Sequence, residues 1–428
     1  MAFRLSQFKR TGAGAGLFMG LALGFPDAPA QAADLPPPPP PVSWWDKVEL
    51  SGAIDAGLTL NPSYPADGVN FGRLFTDKAN RPLFNQGVIT VERPIDSAST
   101  DVDLGFKFQF MYGSDARYTH FLGELDYTIN NLTQISFVEA YLSLHLPWVF
   151  QGGIDIKGGQ FATLSGAEVI YAPGNLLYSH SYIFNYGPFQ HTGILTTSHV
   201  APWLDLYAGM TTGLNTAIGY RVGDNNGAVA FLGGIGLNFF DGDLTILAAT
   251  HFGPEYPDTP GTRESCLCNP NTAPRFLNGL TVTWKATDWL TLITDANYLL
   301  DNATGAEGFG VAQYAAITIN DWLKLVGRAE VWRDTQGFFV AAFPGNFDFV
   351  NAAWGYPTNA YGAAPTTYLE LTGGLNISPT LPEGLPFVKT MTFRPEIRYD
   401  RSLSGTTPFN VGTAYSQFTF GGDVVLTF

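Results

Sequence analysis

Residues 415–428 read YSQFTFGGDVVLTF, and their parity decides the fold. Phe418, Phe420, Val424, Leu426 and Phe428 fall at even positions, while Gln417, Thr419, Gly421, Asp423 and Thr427 fall at odd ones. A period of two marks a strand with one apolar and one polar face. A strand of this length, with lipid on one side and water on the other, is the closing stave expected of an outer-membrane barrel. Its terminal Phe428 is the expected handle for the outer-membrane assembly machinery.

Working back along the chain, the same template fits sixteen segments. Residues 48–60 set Val48, Leu50, Ile54, Leu58 and Leu60 against Glu49, Ser51, Asp55 and Thr59. In residues 102–112, Val102, Leu104, Phe106, Phe108 and Phe110 oppose Asp103, Lys107 and Gln109. The connections alternate in length: 147–153, 200–203, 286–289 and 320–322 are short, whereas 162–189 and 334–367 are long. Strands chosen by polarity alone carry no information about loop length, so the alternation independently predicts short periplasmic turns and long extracellular loops. Trp148, Trp203, Trp289 and Trp322 fall in the short turns, and Trp44, Trp45 and Trp284 fall at the same end of their strands. Indole prefers the headgroup level, so these residues predict an aromatic girdle at one rim.

The start of the chain agrees with this reading. Arg4, Lys9 and Arg10 precede a small, apolar stretch and the A-x-A site Ala30-Gln31-Ala32, so residues 1–32 read as a secretory signal peptide. Residues 33–47, with six consecutive prolines from Pro36, read as an extended periplasmic linker. Residues 48–428 are then the barrel. The chain carries a formal charge of -15, which argues against nucleic acid as a partner. After the leader no apolar run approaches the roughly 18 residues of a membrane helix.

The wet face predicts a pore. In residues 389–400 the apolar face is Met391, Phe393, Ile397 and Tyr399, leaving Arg394, Glu396, Arg398 and Asp400 together on the other. Charges of this kind at mid-depth in lipid cost about 2–4 kcal/mol each, so they are expected to line a watery lumen. Arg328 and Glu330 share one face of 323–333, and Lys107, Glu139 and Lys157 join them as expected channel-lining residues. An alternative for each is pairing across the wall. Pro395 lies mid-strand, where it cannot donate a ladder hydrogen bond, and predicts a local bulge. Loop 162–189, holding Glu168, Tyr171, Tyr178 and His180, either folds inward as a constriction or covers the mouth.

Catalytic, cofactor and metal sites are not indicated. The six histidines are scattered without triad-like partners, and Cys266 and Cys268 lack zinc spacing, leaving a local disulfide or free thiols. Acidic loop residues such as Asp67, Asp77, Asp126 and Glu264 are candidates for cation-bridged contact with lipopolysaccharide.

Several stretches carry a family resemblance. They are Tyr112-Gly113-Ser114-Asp115-Ala116, Gly159-Gln160-Phe161 with Glu168-Val169-Ile170, and Pro188-Phe189-Gln190-His191-Thr192-Gly193. Farther on come Asp224-Asn225-Asn226, Arg328-Ala329-Glu330 with Arg333-Asp334, and the run from Arg394 to Asp400. In this order the chain resembles the OmpL-like outer-membrane β-barrel porins over nearly all its length after the leader. The resemblance implies a channel in the outer membrane of a Gram-negative bacterium and names no substrate. It also places Gln160 and His180 where the family tends to have Lys and Arg, which removes positive charge from the loop region.

The expectation is therefore an all-β, transmembrane antiparallel barrel of about sixteen strands that passes small hydrophilic solutes or ions. Outer-membrane lipid and lipopolysaccharide surround it, and a homotrimer is an open possibility. The rival readings are a lipase-like barrel enzyme and a non-conducting structural or adhesive barrel.

Overall fold

The computed structural model describes residues 43–127, 132–266, 268–382 and 387–428, apart from the side chains of residues 265 and 266. The segments read as a signal peptide and as a proline-rich linker lie, up to residue 42, outside the described residues. Trp44–Phe428 form one compact unit.

Sixteen strands close into one antiparallel barrel. They are β1 (Glu49–Leu60), β2 (Pro82–Arg93), β3 (Asp103–Gly113), β4 (Gln134–Leu146), β5 (Ile154–Ala162), β6 (Gln190–Ala201), β7 (Leu204–Leu214) and β8 (Ala230–Phe239). The second half comprises β9 (Leu244–Pro254), β10 (Pro274–Thr287), β11 (Leu290–Asp301), β12 (Ala306–Asn320), β13 (Leu323–Asp334), β14 (Thr366–Ile377), β15 (Thr390–Ser402) and β16 (Ser416–Thr427). Each strand pairs with its sequence neighbours, and β1 meets β16 in a register running from Ala53 opposite Thr427 to Leu60 opposite Phe420. Closure satisfies every strand edge from within, which a sheet in hydrocarbon requires.

Alternation sorts the side chains. Leu50, Leu104, Leu142, Ile194, Met210 and Ile397 are exposed on the outer surface, while their sequence neighbours turn inward. No helix among the described residues is long and apolar enough to cross a membrane. Trp45, Trp148, Trp203, Trp284, Trp289 and Trp322 are all exposed, and all lie toward the short-turn end of the barrel. Trp332 differs: it is fully buried inside and donates its Nε1 hydrogen to Asn297 Oδ1 at 3.0 Å.

The bulge expected at Pro395 is absent. Pro395 stays in register with Gly422 of β16. On its other side the β14 ladder pairs Gly374 with Glu396 and resumes at Ile377 with Phe393, so two pairs are missing and no residue is inserted. The proline is thus accommodated by a gap in one ladder, while on its other side Gly422 lets β16 come close, a Cβ there lying 3.1 Å from Pro395 Cα. Register shifts occur instead beside Asp55 in β1 and Gln109 in β3.

Candidate functional site: a loop seated in the lumen

The connection between β5 and β6 reaches into the barrel. It leaves the wall at a neck where Thr163 N donates to Phe189 O at 2.9 Å, and it carries a short helix, Tyr182–Tyr186. Between these points the chain runs across the lumen. Of the two outcomes open from sequence, inward folding is the one in the structure.

The strand-borne charges hold this loop by its backbone. Glu396 accepts from Tyr178 N at 3.0 Å and from Ser179 N at 3.1 Å. Glu330 accepts from Tyr182 N and Ile183 N at 2.8 and 2.9 Å. Arg394 donates to the carbonyls of Ala172 and Asn175 at 2.9 and 2.7 Å. Arg328 donates to Ser179 O at 2.8 Å, and Arg398 donates to His180 O. Hydrogen bonds to charged groups are worth about 1.5–3 kcal/mol each, so this set outweighs ordinary loop contacts.

The arginines are also paired with neighbouring carboxylates. Arg328 contacts Glu370 at 2.9 Å and Glu168 at 2.6 Å. Arg394 grips Asp423 with Nε and Nη2. Arg398 meets Asp400 at 2.7 Å, and the same carboxylate takes Arg73, from loop 61–81, at 2.7 Å. Arg328, Glu330, Arg394, Glu396, Arg398 and Asp400 are all buried. They point into the barrel, but they meet the loop rather than the open water expected of them. A buried charge in a dry setting needs partners, and the loop backbone supplies those the wall lacks.

Lys107, Glu139 and Lys157 occupy another side of the lumen. Lys107 lies 2.6 Å from Glu139 and 3.9 Å from Glu92. Lys157 Nζ sits 4.4 Å from the centroid of the Tyr141 ring. A cavity of about 300 Å³ opens beside it, lined by Glu92, Tyr141, Asp155, Lys157 and Tyr207. A second cavity, of about 230 Å³, lies between the loop and Lys324, Asn376, Thr392 and Thr427.

The loop side chains are fixed as well. Glu168 accepts from Ser181 N at 2.8 Å in addition to its pair with Arg328. Burial alone would raise its carboxyl, but Arg328, His180 and the Ser181 amide outweigh that and hold it at about 2. The His180 ring stacks on Phe184 with centroids 4.3 Å apart. Tyr178 donates to Asn85 Oδ1 at 3.1 Å, and Tyr171 packs against the cluster formed by Phe75, Met111, Tyr118, Ile170 and Phe184.

Sequence reasoning missed the partners of this loop outside the charged strands. Gln86 Nε2 donates to Ile170 O at 2.7 Å and Gln86 Oε1 accepts from Ala172 N at 3.0 Å. Asp115 accepts from Asn85 and Gln86, both at 2.9 Å, while burial pushes its carboxyl up to about 7. An uncharged Gln at an inward position and a lone Asp after a strand give no periodic signal. The histidines are also better partnered than the sequence suggested: His199 lies 3.0 Å from Asp155 and 2.7 Å from Asp205, and His145 lies 2.6 Å from Asp155. Asp77 and Asp126, candidates for cation binding, instead contact Arg117 and His120 within the protein. Cys268 is disulfide-bonded, whereas the side chain of Cys266 lies outside the described residues.

Comparison with known proteins agrees with this geometry. The fold is similar to the outer membrane channel DcaP of Acinetobacter baumannii, at 13% identity and TM-score 0.53, over 89% of this chain and 97% of that one. It is similar to the anion-selective porin from Comamonas acidovorans, at 10% identity and TM-score 0.55, over 89% and 99%. It is also similar to OmpF of Salmonella typhi, solved in complex with daunomycin, at 10% identity and TM-score 0.53, over 89% and 97%. No curated protein sequence matches the chain. The family model described as "Putative beta-barrel porin-2, OmpL-like" matches residues 47–428, and the chain belongs to that family.

Proposed function

We propose that this porin works as a passive diffusion pore for small hydrophilic solutes or ions in the outer membrane of a Gram-negative bacterium. The observation that carries the reading is the partition of one closed wall. Its outer surface is apolar and belted at one rim by indoles, and its inner surface carries the charged rows of β13 and β15.

The route has two vestibules on the short-turn side of the loop, one beside Lys157 and one beside Lys324. Lys107, Glu139 and Lys157 are the lining charges that passing solutes meet first from that side. Against a lipase-like enzyme, Ser97 Oγ, the serine beside His145 and His199, donates to Asp155 rather than to either imidazole. A hydrolase needs the hydroxyl on the base.

Lipopolysaccharide, the assembly machinery acting on the Phe428 strand, and a homotrimer complete the expected set of partners. Glu264 is exposed on a long loop and remains open to a bridging cation. Purified protein in planar bilayers tests the pore directly. Stepwise conductance from a preparation with heat-modifiable gel mobility is the expected result, and a folded barrel that passes no current contradicts the reading.

A further inference from the structure

Each of the sixteen strands contributes at least one buried inward side chain, among them Asp55, Met111, Phe161, Leu232, Leu277 and Arg328. In a barrel with an open bore the inner wall faces water at every height. Here much of the wall is covered, by loop 162–189 together with Val69 and Phe71 of loop 61–81 and Val340 and Ala342 of the connection after β13. On one side Ile170, Phe184 and Phe189 pack on Val88, Met111 and Val138. On another Tyr182 and Ile183 pack on Leu277, Leu299 and Trp332, while Leu177 meets Ala316 and Val326. Only about 20 Å³ separates the loop from β10 and β11, room for about one water.

From this we infer that loop 162–189 is a latched gate. In the described conformation it closes the lumen at mid-height, and solutes cross when the segment around residues 172–183 leaves its seat. The charged part of the latch is five side chains on β13 and β15, Arg328, Glu330, Arg394, Glu396 and Arg398, and the uncharged Gln86 of β2 and Asn376 of β14 add bonds to Ala172 N and Leu176 O. They grip main-chain N–H and C=O groups, which water can satisfy once the segment swings clear. The neck bond between Thr163 and Phe189 and the left-handed Gly166, with φ of 104°, let the loop turn as a body. A selectivity filter uses its charges on the permeant, whereas these charges are spent on the loop.

The inference rests on the pore reading, and its test separates the two. Leu177, 3% exposed, is replaced by Cys as a reporter, and no other free cysteine is present among the described residues. Labelling of L177C by a small thiol reagent is measured in bilayer-reconstituted protein, alone and combined with Glu396→Gln. Gln in place of Glu396 removes the charge from the hydrogen bonds to Tyr178 and Ser179. The rate is expected to rise roughly tenfold or more, along with the open-state occupancy of single channels, because weakening such bonds is worth at least one decade. Glu330→Gln provides a second variant, and heat-modifiable mobility reports that each barrel is folded.

Immediate labelling of L177C without the second substitution would overturn the gate, because the loop would not be seated. Current that flows while Leu177→Cys stays protected in every variant would overturn it too, because the path would bypass the loop. Faster labelling without current in any folded variant would keep the moving loop and sink the pore.

Discussion

Gly52 and Phe428 exchange two backbone hydrogen bonds, each 3.0 Å long, and the Phe428 ring occupies the space a Cβ on residue 52 would take. A Cβ built there lies 2.3 Å from the ring and 2.5 Å from the carbonyl oxygen of Val88. The last strand is thus sealed to the first at the one place where the absence of a side chain lets an aromatic ring close over the seam.

Gly52→Val is therefore expected to impair closure. Overpacking of this kind costs about 1–3 kcal/mol, and here part of the clash is with backbone that cannot rotate away. The folded, heat-modifiable fraction should fall during refolding into detergent or lipid. Gly373→Ala is the control, because a Cβ there meets nothing within 4 Å. Equal yields for both variants would show that the seam tolerates a side chain.

The girdle makes a prediction about depth. Trp203, Trp289 and Trp322 sit in short turns and are exposed, so their indoles should lie at the headgroup level. Lipids carrying a quencher near the headgroup should dim the protein's tryptophan fluorescence more than lipids carrying it near the chain end. Replacing these three residues with Phe should reduce that difference in part, the remainder coming from Trp44, Trp45, Trp148 and Trp284 at the same rim, whereas Trp332 lies inside the barrel. Stronger quenching from the chain end would place the rim at the wrong depth.

The wall was legible in the sequence because lipid and lumen impose opposite demands on alternate residues, as in Phe393, Ile397 and their charged neighbours. Strand boundaries therefore came within a few residues; the segment read as 309–319 is Ala306–Asn320. The occupancy of the lumen was not legible. Glu396 and Glu330 bind main-chain amides of Tyr178, Ser179, Tyr182 and Ile183, and every non-proline residue has such an amide, so no sequence pattern marks the recipient. Arg73 sits alone in its loop, and nothing in its neighbourhood announces that it reaches Asp400. Pro395 signalled an irregularity, but whether the ladder answers with an inserted residue or a gap depends on the glycines of adjacent strands.

Arg394 and Asp423 are nearly fully buried against each other on adjacent strands. Removing one partner strands the other charge in a dry site, and such changes cost about 3–5 kcal/mol. Arg394→Leu and Asp423→Leu should each lower the urea midpoint of barrel unfolding, while the double variant should recover much of the loss. The same Arg394→Leu variant should raise conductance more than it shifts the reversal potential in a salt gradient, because the side chain holds Ala172 and Asn175. A shifted reversal potential with unchanged conductance would return Arg394 to the role of a filter.

Acid and base should act on the loop in opposite senses through two buried carboxyls outside the strands. Glu168 is held at about 2 against an ordinary value of 4.5, so its contribution is complete above the ordinary value and is lost as pH falls toward 2. Asp115 is pushed up to about 7 from 3.8, so its contribution is complete below 3.8 and is lost as pH rises toward 7. Each shift corresponds to an effect on the order of 3–4 kcal/mol. Unfolding midpoints across this range should peak between the two transitions. Glu168→Gln should flatten the acid limb, and Asp115→Asn should flatten the limb toward neutrality. A wild-type profile that climbs steadily to neutral pH, unchanged by Asp115→Asn, would mean that Asp115 is charged in the folded barrel, the amide donors of Asn85 and Gln86 on its two oxygens outweighing its burial.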